Sequence, residues 1–140
     1  MNLLLDTNVL SEVQRPVPEP RVLEWLDAVD EDRVYISVAS IAELRLGVAL
    51  MDDGRRRAAL AAWLANDLPA RFAERILPID LAIAERWGDL MAQSRRSGVA
   101  LSVMDGFFAA TALAKDLTLV TRNVRDFASF GVPLLNPWDQ

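Results

Sequence analysis

The chain has 140 residues, enough for one domain with a substantial core and no covalent staples. It contains no cysteine and no histidine, which excludes disulfides, Ser-His and Cys-His triads, and zinc sites built on thiolate or imidazole. With 20 acids against 15 bases the net charge is −5, which excludes a broadly basic nucleic-acid binder, and 52% hydrophobic residues exclude a disordered chain.

A mean hydropathy of +0.16 suggests apolar surface left for a partner. Lys115 is the only lysine, and every other base is arginine, a side chain suited to bidentate phosphate contacts, although compositional bias explains the same preference. No apolar run approaches the roughly 20 residues needed to span a bilayer. The start carries no basic segment and cleavage signal, so the expected location is the cytoplasm.

In chain order, residues 2–5 read as a first strand that delivers Asp6 at its end, followed by a short helix over 9–13. The Pro-rich stretch 15–20 is a loop, and Val22, Leu23, Leu26 and Val29 give helical spacing over 21–31. Residues 34–37 form a second strand, and Ser37 or Ser40 caps a helix running to about Met51. A further helix covers 55–68, a third strand covers 75–79, and Asp80 caps a helix over 81–96 that Gly98 closes. Ser102 and Asp105 resemble a capping box opening a helix to about Lys115. A fourth strand covers 117–121, a short helix 123–130 ends at Gly131, and residues 133–135 make a last edge strand. Strands alternating with helices predict an α/β three-layer sandwich with a central parallel sheet of about five strands, as a single domain over 1–140.

Ligands of open parallel sheets bind beyond the carboxyl ends of the strands. Four regions deliver polar groups there: Asp6 with Thr7 and Asn8, then Glu43, then Asp105, then Thr121 to Asp126 with Asn123. Each has a plainer explanation. Asp6 is a loop acid or cap, Glu43 pairs with Arg45 or another arginine, Asp105 complements a helix dipole, and Asn123 is an N-cap. Jointly they form a carboxylate cluster whose members repel unless a cation is present. With oxygen donors alone, that cation is Mg²⁺ or Mn²⁺, and the matching chemistry is phosphodiester hydrolysis by activated water. Thr7 and Thr121 could bond a carboxylate or a water, and equally could serve backbone turns. Arg15, Arg45, Arg122 and Arg125 lie near the same edge as candidate phosphate contacts. The cluster Arg55-Arg56-Arg57 reads as a solvated helix face, and the four tryptophans as core or interface residues.

The segments Leu4-Leu5-Asp6-Thr7-Asn8, Ser37 to Gly47 around Glu43, Asp105 leading into Ala109-Ala110, Leu119 to Phe127, and Leu135-Asn136-Pro137-Trp138 together resemble a PIN domain, most closely the VapC-type toxins of bacterial toxin–antitoxin pairs. The resemblance runs over essentially the whole chain. It implies a PIN-like fold, Mg²⁺- or Mn²⁺-dependent endoribonuclease activity, an RNA substrate and inhibition by a cognate antitoxin. It also implies a homodimer that can join a larger assembly with the antitoxin. Family metal ligands fall on Asp6, Glu43 and Asp105. The fourth family acid falls on Asn123, whose amide oxygen brings no charge, with Asp126 one turn on as a substitute. Phe107-Phe108 stand where smaller residues are expected. Two other classes stay open: a phosphoacceptor domain phosphorylated on Asp6, and a non-catalytic binding module with a degenerate acidic site.

Overall fold

Five short parallel strands run through the middle of the molecule in the order β3-β2-β1-β4-β5, in a computed structural model that describes residues 1–139. They are β1 (Leu3–Leu5), β2 (Val34–Ser37), β3 (Ile76–Leu77), β4 (Thr118–Val120) and β5 (Leu134–Leu135). The register sets Leu3 against Val34 on one side and Leu3, Leu4 and Leu5 against Thr118, Leu119 and Val120 on the other. Among the described residues eight α-helices surround the sheet: α1 (Thr7–Val13), α2 (Pro20–Ala28), α3 (Val38–Leu50), α4 (Arg55–Ala62), α5 (Leu68–Phe72), α6 (Leu81–Ser97), α7 (Val103–Ala114) and α8 (Val124–Phe127).

The two-residue period of β1 explains the three layers. Leu4 points into a core with Ile83, Leu90, Phe108 and Phe127 from α6, α7 and α8. Leu3 and Leu5 point to the opposite side, against Val9, Leu10, Val22 and Phe72 from α1, α2 and α5. All three leucines are 2% exposed or less, and burying each stabilises the fold by about 1.5–3 kcal/mol. The chain leaves β1 towards β2 and β3, then returns across the sheet to β4 and β5. The carboxyl ends of β1 and β4 therefore frame the crevice where strand order reverses, the usual place for a ligand in such sheets. Asp6 stands at that point, its N–H bonded to the Val120 carbonyl at 2.9 Å.

Several boundaries differ from those expected. The first helix begins at Thr7 rather than Val9, because Asp6 itself is the N-cap. The second ends at Ala28, and Glu31–Arg33 forms a separate 3₁₀ turn capped by Asp30. Ser37, not Ser40, caps α3, accepting from the Ala39 N–H at 3.0 Å. The helix expected over 55–68 continues to Phe72 through a wide π-helical turn at Trp63–Asp67. A regular α-helix would drive the Pro69 ring into the carbonyl one turn back, and a wider turn beside it relieves that clash. β3 keeps only two of the five expected residues. Arg75 is held in a 3₁₀ turn, where its guanidinium binds the Val34 and Arg71 carbonyls, and Pro78 has no N–H to extend the ladder. Gly98 and Gly131 close their segments in the left-handed conformation, each with φ 72°. Among the described residues no helix is long and apolar enough to cross a membrane.

Candidate functional site

Asp6 is 5% exposed, and both of its carboxylate oxygens are held. Oδ1 accepts from the Thr7 N–H at 2.6 Å, and Oδ2 accepts from the Thr121 hydroxyl at 2.7 Å. Thr121 is fully buried, just past β4, and its Oγ1 also accepts the Asn123 N–H at 3.0 Å. One hydroxyl thus ties the end of β1 to the turn after β4.

Glu43 is held in a parallel way from α3. The Thr7 hydroxyl donates to its Oε1 at 2.6 Å, and the fully buried Ser40 Oγ lies 2.9 Å from the same hydroxyl. Thr7 has one hydroxyl proton and gives it to Glu43, so Ser40 donates to Thr7. The expected arginine partner of Glu43 is absent among the described residues. Arg45 follows Glu43 by two residues, about 200° around the helix, and lies exposed outside the cleft.

Asp105 enters from the first turn of α7, where the Ser102 hydroxyl accepts its N–H at 3.1 Å. α7 approaches α6 closely at Gly106, where an added methyl would sit 2.8 Å from Met91 Sδ and 2.9 Å from Trp87 Nε1. Of the Phe107-Phe108 pair, Phe107 stacks on Trp87 with ring centroids 5.1 Å apart, and Phe108 enters the core. Asn123 occupies the N-cap position of α8 but makes no side-chain cap bond.

Asp6, Glu43, Asp105 and Asn123 border one cleft of about 850 Å³ including its open mouth, together with Thr7 and Asn8. Arg15 and Arg122 stand at its rim. Arg125 lies outside it, as does Asp126, whose charge nonetheless reaches Asp105. Thr121 sits beneath the cleft as a support for Asp6. The Asn8 side-chain oxygen is buried without a hydrogen-bond partner, and nothing else in the structure explains this. Glu12, which sequence reasoning passed over, also borders the cleft. It is 4% exposed and accepts from the Glu19 N–H at 3.2 Å and from Arg15 at 3.3 Å. Its signal was an acid set among Val9, Leu10 and Val13. Trp138, read as a core or interface residue, is buried and also forms part of the cleft wall.

Burial first, and neighbouring acids second, set the electrostatics of the site. Burial pushes the Asp6 carboxyl up to about 6, with the charges of Asp105 and Glu43 adding to the rise and the Thr121 and Thr7 bonds opposing it. Burial likewise raises Asp105, opposed by Ser102 and reinforced by Asp126 and Glu43. Among the described residues no three acids are drawn together into a ready cage. The donor set still suits a hard divalent cation: the groups in the cleft able to ligate a metal are carboxylate, amide and hydroxyl oxygens, and the repulsion from Asp105 and Glu43, which adds to burial in raising Asp6, is what a cation would relieve.

Residues 3–132 match the profile of the PIN domain family. The plasmid stability protein StbB of Pseudomonas syringae pv. tomato is 42% identical over 137 residues, covering 98% of this chain and 99% of its own. The VapC ribonuclease Y4jK of Sinorhizobium fredii is 39% identical over 137 residues, covering 98% of each. The crystal structure of FitAcB from Neisseria gonorrhoeae superposes with a TM-score of 0.92 at 40% identity, covering 99% of both chains. The chain belongs to the PIN domain family.

Proposed function

We propose that this protein is a Mg²⁺- or Mn²⁺-dependent endoribonuclease and the toxin of a toxin–antitoxin pair. The observation that carries this reading is the placement of Asp6, Glu43 and Asp105 around one cleft at the switch point of the sheet, with Asp6 raised by burial and further by the charges of Asp105 and Glu43. A relative named a VapC ribonuclease, matched over nearly the full chain, supports the reaction class.

In this reading Asp6, Glu43 and Asp105 hold the cation, and Asn123 offers a neutral oxygen where a fourth acid would complete a second site. A bound divalent ion supplies Lewis acidity that activates an attacking water and steadies charge on the phosphate oxygens. The chain's own residues fix the geometry. Thr121 and the Thr7 N–H leave Asp6 little freedom to rotate, and Thr7 and Ser40 do the same for Glu43. Arg15 and Arg122 at the rim supply phosphate contacts.

An apolar trough lined by Leu44, Val48, Met51, Leu60 and Trp63 shares Thr7, Ser11 and Glu43 with the cleft. An antitoxin segment lying there would cover the acids. Leu46 and Leu50 are 61% and 76% exposed on α3, consistent with a homodimer that can enter a larger assembly with the antitoxin. The whole would act in the cytoplasm as a single domain. Sequencing RNA ends after induction without the antitoxin tests the reading: new internal ends dependent on Asp105 support it, and an unchanged end profile refutes it.

A further inference from the structure

The acidic cleft does not end at the acids. Glu12, Arg15, Arg122 and Trp138 also line a second depression, closed on its far side by the 17–20 loop and Arg21. Three guanidiniums face two carboxylates there, Glu12 and Glu19, on a chain whose net charge is −5. Arg15 and Arg21 bind Glu12 and Glu19 through one nitrogen each, and their side chains remain 61% and 53% exposed. Arg122 has no ion pair among the described residues. Its guanidinium lies 5.4 Å from the centre of the buried Trp138 ring, where a cation–π contact holds it at the junction of the two depressions. Pro16, Pro18 and Pro20 stiffen the opposite wall, so it needs little ordering when a ligand arrives.

We propose that this second depression is the track along which single-stranded RNA leaves the acids on one side of the cut. Arg122 contacts the phosphate next to the scissile one, Arg21 contacts a phosphate further out, and Trp138 is a positioning residue that fixes Arg122. The proposal rests on the ribonuclease reading. An internal cut requires the strand to leave the site in two directions, and the trough between α1, α3 and α4 that also adjoins the cleft is mainly apolar, its Arg56 donating to the Gln14 carbonyl at 2.6 Å. The basic depression is the side that offers phosphate contacts.

The test measures binding of a fluorescein-labelled 16-nucleotide single-stranded RNA by anisotropy, with Mg²⁺ present and Asp105→Asn as background to prevent cleavage. Arg122→Ala and Arg21→Ala should each weaken binding about 5–10-fold. Each should also flatten the slope of log K against log salt by about 0.7. Arg96→Ala makes the same charge change on the exposed end of α6 and should leave both unchanged. Trp138→Leu should match Arg122→Ala, the double variant should lose no more than either single one, and Trp138→Phe should restore most of the binding. Parent-like affinity and slope in Arg21→Ala and Arg122→Ala, or an equal loss in Arg96→Ala, overturns the track. Cleavage of the same RNA by the chain with Asp105 intact separates the two readings. Cleavage with indifferent arginines overturns the track alone, whereas no cleavage with Mg²⁺ or Mn²⁺ overturns the ribonuclease reading beneath it.

Discussion

Replacing Asp6 with asparagine should stabilise the metal-free protein, and the gain should depend on pH in a defined way. The Asp6 carboxyl rises from 3.8 to about 6 on folding, chiefly through burial and then through Asp105 and Glu43. It therefore binds its proton more tightly in the folded chain than in the unfolded one. The favourable contribution of that proton is fully present below pH 3.8 and is lost as pH rises through about 6. At neutral pH the ionised carboxylate costs the fold about 3 kcal/mol relative to an unperturbed acid. Asparagine removes the charge and keeps an oxygen for the Thr7 N–H, and the Thr121 hydroxyl can reverse to accept from the new amide. A net gain of about 1–3 kcal/mol follows, or roughly 3–10 °C in Tm. Urea unfolding with EDTA, run from pH 4 to pH 8 on both proteins, gives the difference curve. It should be near zero at pH 4, rise through pH 6 and level off above pH 7. Adding Mn²⁺ should then favour the unsubstituted chain, since only it keeps the full ligand set. An Asp6→Asn protein less stable at every pH, or a difference that ignores pH, would refute the reasoning.

Asp105→Asn should lower cleavage by about 100-fold or more while keeping the circular dichroism spectrum, because one charge at the cleft is lost and the Ser102 cap bond to the backbone remains. Asn123→Asp should tighten Mn²⁺ binding in calorimetry, since a fourth carboxylate joins the cleft; an unchanged titration would mean the amide position is not part of the ion's environment. Gly106→Ala should lower stability by about 1–2 kcal/mol in urea melts. Met91 can swing away, but Trp87 is fixed by its bond to the Val103 carbonyl and its stack on Phe107. Thr121→Val keeps the shape but removes the Asp6 bond and the acceptor for Asn123, so stability should fall by about 1–3 kcal/mol and the acidic limb of the pH–rate profile should move upward.

Much of the fold is written in local signals. The unbroken leucines of β1 mark a strand buried on both faces, Ser102 and Asp80 start helices, and Gly98 and Gly131 stop them. The gathering of Asp6, Glu43, Asp105 and Asn123 followed from strand order, because a parallel sheet collects what its carboxyl ends deliver. Side-chain pairing across long separations was not legible. Glu43 finds Thr7, 36 residues away, and Asp6 finds Thr121 across 115 residues. Such contacts depend on helix rotation and depth, which no short pattern encodes. Arg45 could have been set aside from helix phase, whereas Arg125 needed the pose of a four-residue helix. The π-helical turn before Pro69 and the two-residue length of β3 trace instead to local proline chemistry, which the spacing of apolar residues does not show.

The central claim is that Asp6, Glu43 and Asp105 act together through a divalent cation to cut RNA. Its most direct test is cleavage of single-stranded RNA by the purified protein and by an Asp6→Ala/Asp105→Ala double variant, each treated with EDTA and then supplied with Mn²⁺. The account predicts cleavage only by the unsubstituted protein and only after Mn²⁺ is added. Full cleavage by the double variant, or by either protein in EDTA, would contradict it.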